Sequence, residues 1–283
     1  MPTATQSQIS FQLAGGRQPL IVLPVFVCGR GPYSFILDTG AGPTLVSHEL
    51  AEDLGLPRGE VETGHGAGGE IQLVQSALRS LRVGEEVLEE VSVYVTDLNF
   101  IERAIGAQVN GNLGHSVLRH FILTLDYAAN VLTLERPSGE AHKGSALAGE
   151  RTLAFRLAHP SSPLVVIPTF VNGQGPFDFA LDTGASSSIL SLELARSLGL
   201  AMERISDLTA GGGKVGACRA HLESLCVGAA RQEGVSAAVS DFLAPLTEVL
   251  GVKLYGIVGY NFLRHFRVTL DYPSQLLGLD GRP

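Results

Sequence analysis

The chain has 283 residues, of which 45% are hydrophobic and 17% charged, and its formal net charge is -8. This length fits one large domain or two of about 140 residues, and the composition is that of a globular protein. The acidic balance argues against nucleic acid as the main partner, because phosphate binding requires a basic face. No apolar run approaches the roughly 18 residues that cross a bilayer, so we expect no membrane span.

The start of the chain and the cysteines bear on the compartment. The first ten residues are polar and lack the basic start and apolar core of a signal peptide. We therefore expect a cytoplasmic protein, or a periplasmic or secreted one if a leader has been removed. Cys28, Cys218 and Cys226 are too few for a disulfide framework or a zinc site, and we favour reduced thiols over a Cys218–Cys226 pair.

Short apolar and β-branched runs open the first half of the chain. Residues 20–27 predict a strand, a Gly-containing turn follows, and residues 35–37 predict a second strand that enters the tripeptide Asp38-Thr39-Gly40. A short helix comes next, capped by Ser47 and ended by Gly55. The first half therefore begins with two strands and a helix around an acidic turn.

A Gly-rich segment follows at residues 64–69, before an alternating run at residues 70–74. The segment formally matches the dinucleotide-binding pattern G-x-G-x-x-G, but that pattern needs a preceding strand and a helix that starts within it. We therefore favour the tip of a mobile hairpin, with an ordinary surface loop as the alternative. Further strands are predicted at residues 91–95 and 131–134, with a short helical segment through Val117 and Leu118 between them.

The same elements recur in the second half, so the chain is a tandem duplication. The matching segments are residues 19–24 and 163–168, 31–41 and 175–185, 49–56 and 193–200, 118–121 and 263–266, and 125–127 and 270–272. The offset is 144 residues early and 145 late, which places about one inserted residue over the part that corresponds to residues 84–111. We expect a first lobe at residues 1–136, a linker at 137–150 and a second lobe at 151–283.

Asp38 and Asp182 are the best candidates for chemistry. Each follows an apolar strand, where a carboxylate is costly unless it is hydrogen-bonded and used. One Asp-Thr-Gly turn carries little information, but two at the same place in duplicated units carry much more. Homologous halves tend to pack about a pseudo-twofold axis, so we expect Asp38 to face Asp182.

On these residues the sequence resembles the aspartic proteases, and the retropepsin-like branch in particular. Ala after Asp-Thr-Gly is similar to the retroviral pattern, and both Gly-rich segments, 65–69 and 209–213, lie where that family carries a flap. The family's hydrophobic–hydrophobic–Gly element is matched by residues 257–259, whereas residues 112–114 depart from it at Asn112, a departure that we do not expect to affect the carboxylates. The resemblance covers nearly the whole chain twice, like a single-chain version of the retroviral dimer and like the two-repeat aspartyl proteases of bacteria.

The resemblance implies a mostly β fold with two pseudo-twofold-related retropepsin-like β-barrel lobes, short helices and a cleft between the lobes. It implies an aspartic endopeptidase that acts on extended polypeptide through a water molecule activated by two carboxyl groups, with no cofactor and no metal. Both halves are in one chain, so a monomer can be active. The implied site residues are the catalytic Asp38 and Asp182, the supporting Thr39, Gly40, Ala41, Thr183, Gly184 and Ala185, and the flap residues His65, Gly66, Ala67, Gly68, Gly69, Ala210, Gly211, Gly212 and Gly213.

Two other functions remain open at this stage: a catalytically silent peptide-binding module and a hydrolase of non-peptide amides. Other recurring polar residues are expected to be structural, namely His120 and His265 near helix ends and Asp126 and Asp271 in the Leu-Asp-Tyr turns. The serines near residue 187 form no recognisable Ser-His-Asp order. Because residues 41 and 185 lack a hydroxyl group that would stabilise the ionised pair, we expect a pH optimum of about 5–6.

Overall fold

The computed structural model describes residues 6–16, 19–137, 152–159 and 162–281. The expected linker lies outside these residues, apart from Pro137. The described part is mostly β and consists of two lobes with the same order of elements. No helix within it is long and apolar enough to span a membrane.

The first lobe contains eleven strands and three helices among the described residues. The strands are β1 (Gln6–Ser10), β2 (Gln12–Ala14), β3 (Leu20–Val27), β4 (Arg30–Leu37), β5 (Leu45–Ser47), β6 (Val61–Gly66), β7 (Gly69–Val83), β8 (Glu86–Thr96), β9 (Gly111–Leu113), β10 (Ile122–Asp126) and β11 (Val131–Glu135). The helices are α1 (His48–Leu54), α2 (Asn99–Ile105) and α3 (His115–Leu118).

The second lobe follows this order with two additional strands, because the counterpart of β7 is divided in two and one short strand is added. The strands are β12 (Thr152–Ala154), β13 (Arg156–His159), β14 (Ser162–Val171), β15 (Gln174–Leu181), β16 (Ile189–Ser191), β17 (Met202–Arg204), β18 (Leu208–Ala210), β19 (Gly213–Val215), β20 (Cys218–Val227), β21 (Ala230–Ser240), β22 (Gly256–Val258), β23 (Phe266–Asp271) and β24 (Leu276–Gly281). The helices are α4 (Leu192–Ser197), α5 (Leu243–Leu250) and α6 (Tyr260–Leu263).

Each lobe has its own eight-stranded sheet. The order is β2-β3-β4-β9-β5-β8-β7-β6 in the first lobe and β13-β14-β15-β22-β16-β21-β20-β17 in the second. An additional pairing, β3 with β7 and β14 with β20, folds each sheet back on itself. This confirms the mostly β fold with two barrel-like lobes that the resemblance implies.

A third sheet joins the lobes. Its order is β1-β11-β10-β23-β24-β12, with three strands from each lobe. At its centre Thr124 pairs with Thr269, its own counterpart in the duplication, and the two hydroxyl oxygens are 3.1 Å apart. The pseudo-twofold axis therefore passes between these threonines, and the lobes are held together by continuous backbone hydrogen bonds rather than by side-chain packing alone.

The short helices begin where the sequence provides caps. Ser47 accepts a hydrogen bond from the Leu50 N–H, and Ser191 does the same for Leu194, so both predicted N-terminal caps are confirmed. Helices α2 and α5 have no counterpart among the predicted elements. Helix α5 has eight residues and α2 has seven, which locates the inserted residue of the second repeat.

A core common to both lobes lies inside the curved sheets. Phe35 and Phe179, counterparts in the duplication, are both completely buried, as is Phe121. Burial of such side chains supplies the main favourable term in folding. Two smaller apolar clusters lie beside it, one in each lobe, around Ile36 and around Val166.

Candidate active site

Each candidate aspartate is held at the end of a buried strand. Asp38 follows β4, and its backbone N–H donates to the Leu113 carbonyl at the end of the parallel strand β9 (3.1 Å). Its Oδ1 accepts a hydrogen bond of 2.8 Å from the Gly40 N–H. The Asp182 turn repeats this arrangement, with the Gly184 N–H donating to Oδ1 at 2.7 Å.

The two turns are cross-braced by their threonines. The Thr39 hydroxyl donates to the Leu181 carbonyl (2.9 Å) and accepts from the Thr183 N–H (3.0 Å). The Thr183 hydroxyl makes the reciprocal pair of bonds to the Leu37 carbonyl (2.8 Å) and the Thr39 N–H (3.1 Å). Both threonines are buried, so every one of these bonds is protected from water. Thr39 and Thr183 therefore join the two turns directly to each other.

The glycines of the turns allow each backbone to approach the opposite carboxyl group. A methyl group at Gly40 would lie 2.5 Å from Cγ of Asp182, and one at Gly184 would lie 2.6 Å from Cγ of Asp38. No side chain fits at that distance. Ala41 and Ala185 complete the turns, and their carbonyls accept hydrogen bonds from the first residues of α3 and α6.

The two carboxyl groups differ in electrostatics, although the turns are alike. Burial is the largest cause that raises the pKa of each, and the titration of each carboxyl group depends on that of the other. The pKa of Asp182 is raised well above its ordinary value because the charge of Asp38 adds to the effect of burial. The pKa of Asp38 is also raised by burial, but hydrogen-bond donors limit the rise. The directions favour Asp182 as the holder of a proton that belongs to the pair as a whole.

The main donor to Asp38 is a residue whose effect the sequence interpretation missed. The Asn112 side chain, on β9, donates from Nδ2 to Oδ2 of Asp38 at 2.8 Å. The expectation that the departure at Asn112 leaves the carboxylates unaffected is therefore wrong. The departure itself was the available signal, because an amide in a buried strand next to an acidic turn needs a partner.

Two aromatic contacts lie beneath the turns. The ring of His115 meets that of Tyr272 with centroids 5.2 Å apart, and at the equivalent place Tyr260 meets Tyr127 at 5.5 Å. The pKa of Tyr272 is raised, first by burial and then by the charges of Asp38 and Asp182. Burial lowers the pKa of His115 to about 4, so its ring is neutral above that pH.

The predicted flaps are hairpins that meet each other. In the first lobe β6 and β7 pair from Val61 to Gly66, so His65, Gly66 and Gly69 lie in the strands and Ala67 and Gly68 form the turn. In the second, β18 and β19 bring Ala210 and Gly213 together, and Gly211 and Gly212 form the turn. The Gly68 N–H donates to the Gly211 carbonyl at 2.6 Å.

The flap tips touch through their backbones because glycine leaves room. A methyl group at Gly66 would overlap the carbonyl of Gly211, and one at Gly212 would lie 2.4 Å from the carbonyl oxygen of Gly69. Ala67 packs against the smaller apolar cluster of the second lobe. The segment 64–69 is followed by a strand, not by a helix, so it lacks the context that dinucleotide binding requires.

The other residues that the sequence singled out lie outside this site. Asp126 accepts from the N–H groups of Ala128 and Ala129, and Asp271 from that of Ser274, so both hold β-turns as expected. Cys218 and Cys226 lie eight residues apart on β20, about 26 Å at the usual strand rise, and are free thiols. Burial, followed by the charge of Arg119, lowers the pKa of His120.

Two curved β lobes, each with an Asp-Thr-Gly turn braced against that of the other lobe and each with a Gly-rich hairpin, define an aspartic-protease type of molecule. A family model described as aspartyl protease matches residues 23–117 and 167–262, which is most of both repeats. The chain belongs to this aspartyl protease family. No curated protein matches the chain.

Proposed function

We propose that the protein is an aspartic endopeptidase in which Asp38 and Asp182, one from each lobe, activate a water molecule for attack on a peptide bond. The observation that carries the proposal is that two buried carboxyl groups, each lying against the glycine of the opposite turn, are held together by cross-braced turns. Structural turn aspartates gain nothing from facing one another, since like charges in a buried place repel. Membership of a protease family supports the same function.

The proposed chemistry follows from the protonation of the pair. Two aspartates that share one proton are an established property of aspartic proteases as a class. Water between the carboxyl groups loses a proton to ionised Asp38 while its oxygen attacks the scissile carbonyl carbon. Protonated Asp182 donates a hydrogen bond to the carbonyl oxygen, which gains negative charge. Asp38 then passes the proton it took from water to the amide nitrogen, the C–N bond breaks as the C=O bond of the new carboxyl product re-forms, and Asp38 is ionised again.

The substrate proposed is an extended polypeptide. The flaps are β-hairpins, and the main chain of an extended peptide can pair with such strands. Flap closure would exclude water other than the reacting molecule. Ala67 at a flap tip and Ala185 in the Asp182 turn are partly buried members of one apolar cluster, which favours apolar side chains on the substrate.

The test is incubation of the protein with a diverse peptide pool from about pH 3 to pH 8, with cleavages read by mass spectrometry. We expect Asp38→Asn and Asp182→Asn to reduce cleavage about 100- to 10,000-fold, the usual contribution of an acid or base. The matched control is Asp126→Asn, the same change in a duplicated turn away from the cleft. If the folded protein binds peptides but cleaves none, a peptide-binding module replaces the proposed protease. If a parallel panel shows cleavage of non-peptide amides alone, a hydrolase of those amides replaces it.

The pH profile is a separate expectation. Activity requires one proton on the pair, so the rate falls below the pKa of Asp38 and above that of Asp182. Both pKa values are raised by burial, which moves the active window above the range of a free aspartate. We expect the optimum of kcat/KM at about pH 5–6, and a maximum below about pH 3 would contradict it.

A further inference from the structure

The groups that bond directly to the two aspartates or brace their turns are the same in both lobes except at one position. The turns, the threonine cross-braces and the glycine N–H donors all occur twice. The strand that flanks each turn also occurs twice, but its sequence differs at the residue nearest the aspartate. Asn112 on β9 corresponds to Ile257 on β22, and the register confirms it, since Asn112 pairs with Ile36 and Ile257 pairs with Ala180.

Asn112 is an unfavourable residue at this place. Its side chain is 4% exposed, and its Oδ1 has no hydrogen-bond partner among the described residues. An unpartnered buried acceptor destabilises the fold, because it has lost its hydrogen bonds to water without replacement. Ile257 occupies the same place in an apolar cluster, which shows that the fold accepts a hydrophobic side chain there.

The orientation of the amide fixes what it can do. Nδ2 faces Oδ2 of Asp38 at 2.8 Å, and an N–H group can donate only to an acceptor, which an ionised carboxylate always offers. Both oxygens of Asp38 therefore receive a donor, Oδ1 from the Gly40 N–H and Oδ2 from Asn112. Asp182 receives the Gly184 N–H at Oδ1, but among the described residues no side chain outside the pair donates to it.

We propose that Asn112 is the positioning residue that breaks the symmetry of the pair, keeping Asp38 ionised as the base and leaving the shared proton on Asp182. This inference rests on the proposed function for its role in turnover, but the location of the proton can be tested without any substrate. The directions of the two pKa shifts agree, since the Asn112 amide is the largest of the influences that lower the pKa of Asp38. The remaining titratable groups near the pair, Tyr272 and His115, are neutral above about pH 4 and so do not supply the asymmetry.

The first test uses the nearest apolar equivalent in size, Asn112→Leu, with Ile257→Leu as the matched control. Loss of a hydrogen bond to a charged group should raise the pKa of Asp38 by about 1 or more. The acid limb of the kcat/KM profile should therefore move to higher pH in Asn112→Leu and stay in place in Ile257→Leu. Ile257→Asn should act on the other limb, moving the alkaline limb to lower pH as Asp182 gains a donor.

The second test needs no activity. In protein labelled with ¹³C at the aspartate carboxyl carbons, the signals of Asp38 and Asp182 are assigned by the two Asp→Asn variants and followed with pH. We expect Asp38 to ionise first in the natural protein, and the difference between the two sites to shrink in Asn112→Leu. Equal titration of both sites, or Asp182 ionising first, would overturn the inference even if cleavage is observed.

A third measurement covers the case in which Asn112→Leu does not fold. The ¹⁵N and ¹H shifts of the Asn112 side-chain amide in the natural protein should follow the first ionisation of the pair. An amide signal that does not change through that transition would overturn the inference. Absence of peptide cleavage, by contrast, would refute the proposed function and leave these spectra interpretable.

Discussion

Gly40 shows how closely the candidate site is built. The methyl group of alanine at this position would lie 2.5 Å from Cγ of Asp182, so the carboxyl group or the turn must shift. A displacement of about 1 Å in a catalytic group can cost about 100-fold in rate. We expect Gly40→Ala to lower kcat/KM by at least about 100-fold, measured on a peptide that the natural protein cleaves.

Gly42 provides the matched control for this change. A methyl group there would meet only Cδ of Pro163, at 3.5 Å, which is an ordinary contact. Gly42→Ala should keep kcat/KM close to that of the natural protein. If both variants are equally active, the two turns do not approach as closely in solution as the structure requires.

At the same scale, the duplicated motif was sufficient to single out the two carboxyl groups, because both copies repeat the same local chemistry, whereas the supporting threonines were implied by the family resemblance. Asn112 could not be assigned a role in this way. Its contact with Asp38 spans 74 residues and depends on the parallel register of β4 and β9, which a single strand pattern does not specify. Asn112 has no polar counterpart in the other repeat, so the duplication did not single it out. The role proposed for it depends on that same difference between the repeats.

At the scale of elements, the flaps carry a prediction of their own. A methyl group at Gly66 would overlap the Gly211 backbone, whereas one at Gly211 finds no atom closer than 3.6 Å. Gly66→Ala should therefore hinder the meeting of the flaps and lower kcat/KM about 10- to 100-fold. Gly211→Ala, the same change on the opposite flap, should have a much smaller effect.

Steady-state kinetics and thermal unfolding together distinguish hindered meeting of the flaps in Gly66→Ala from a general loss of structure. The flap tips lie outside the main core, so the unfolding temperature of Gly66→Ala should stay near that of the natural protein. A lower unfolding temperature with unchanged kinetics would mean that the tip contact serves stability instead of closure.

Elements with a local signal were predictable, and those without one were missed. Helices α1 and α4 have a serine cap and a glycine just beyond the end, which the sequence shows directly. Helices α2 and α5 lack a side-chain cap, and Pro245 lies within the first turn of α5. They are held mainly by tertiary packing of Leu98 and Leu243, which no local pattern reveals.

At the scale of the whole molecule, the duplication predicted one axis but not the sheet that crosses it. The six-stranded sheet draws three strands from each lobe, and its central pair joins residues 145 positions apart. Such long-range pairing follows from the packing of two copies, not from either copy alone. The lobe boundaries at residues 136 and 151 stay a prediction.

Stability should also depend on pH through His115. The folded pKa is about 4 and the unfolded value is 6.5, so the unfolded chain binds the proton more readily between these values. Stability is therefore lost as pH falls from about 6.5 to about 4, by about 1–3 kcal/mol for this buried group. The positive charges of Arg119 and His120 also lower the pKa of His115 and so add to this loss of stability.

Urea unfolding at pH 7 and pH 4.5 checks this expectation. His115→Phe removes the titrating ring, so its free energy of unfolding should fall less between the two pH values than that of the natural protein. His48→Gln, a change at an exposed histidine, should leave the difference unaltered. An equal fall in the natural protein and His115→Phe would remove His115 as the cause.

The most direct test of the central claim, that one chain supplies a complete pair of aspartates, is a mixing experiment. A peptide identified as a substrate is incubated with the natural protein, with Asp38→Asn, with Asp182→Asn, and with an equimolar mixture of the two variants. We expect cleavage by the natural protein, at a rate per chain that does not fall on dilution, and none by either variant or by their mixture. Cleavage by either variant, or activity regained on mixing, would contradict a site built from both lobes of a single chain.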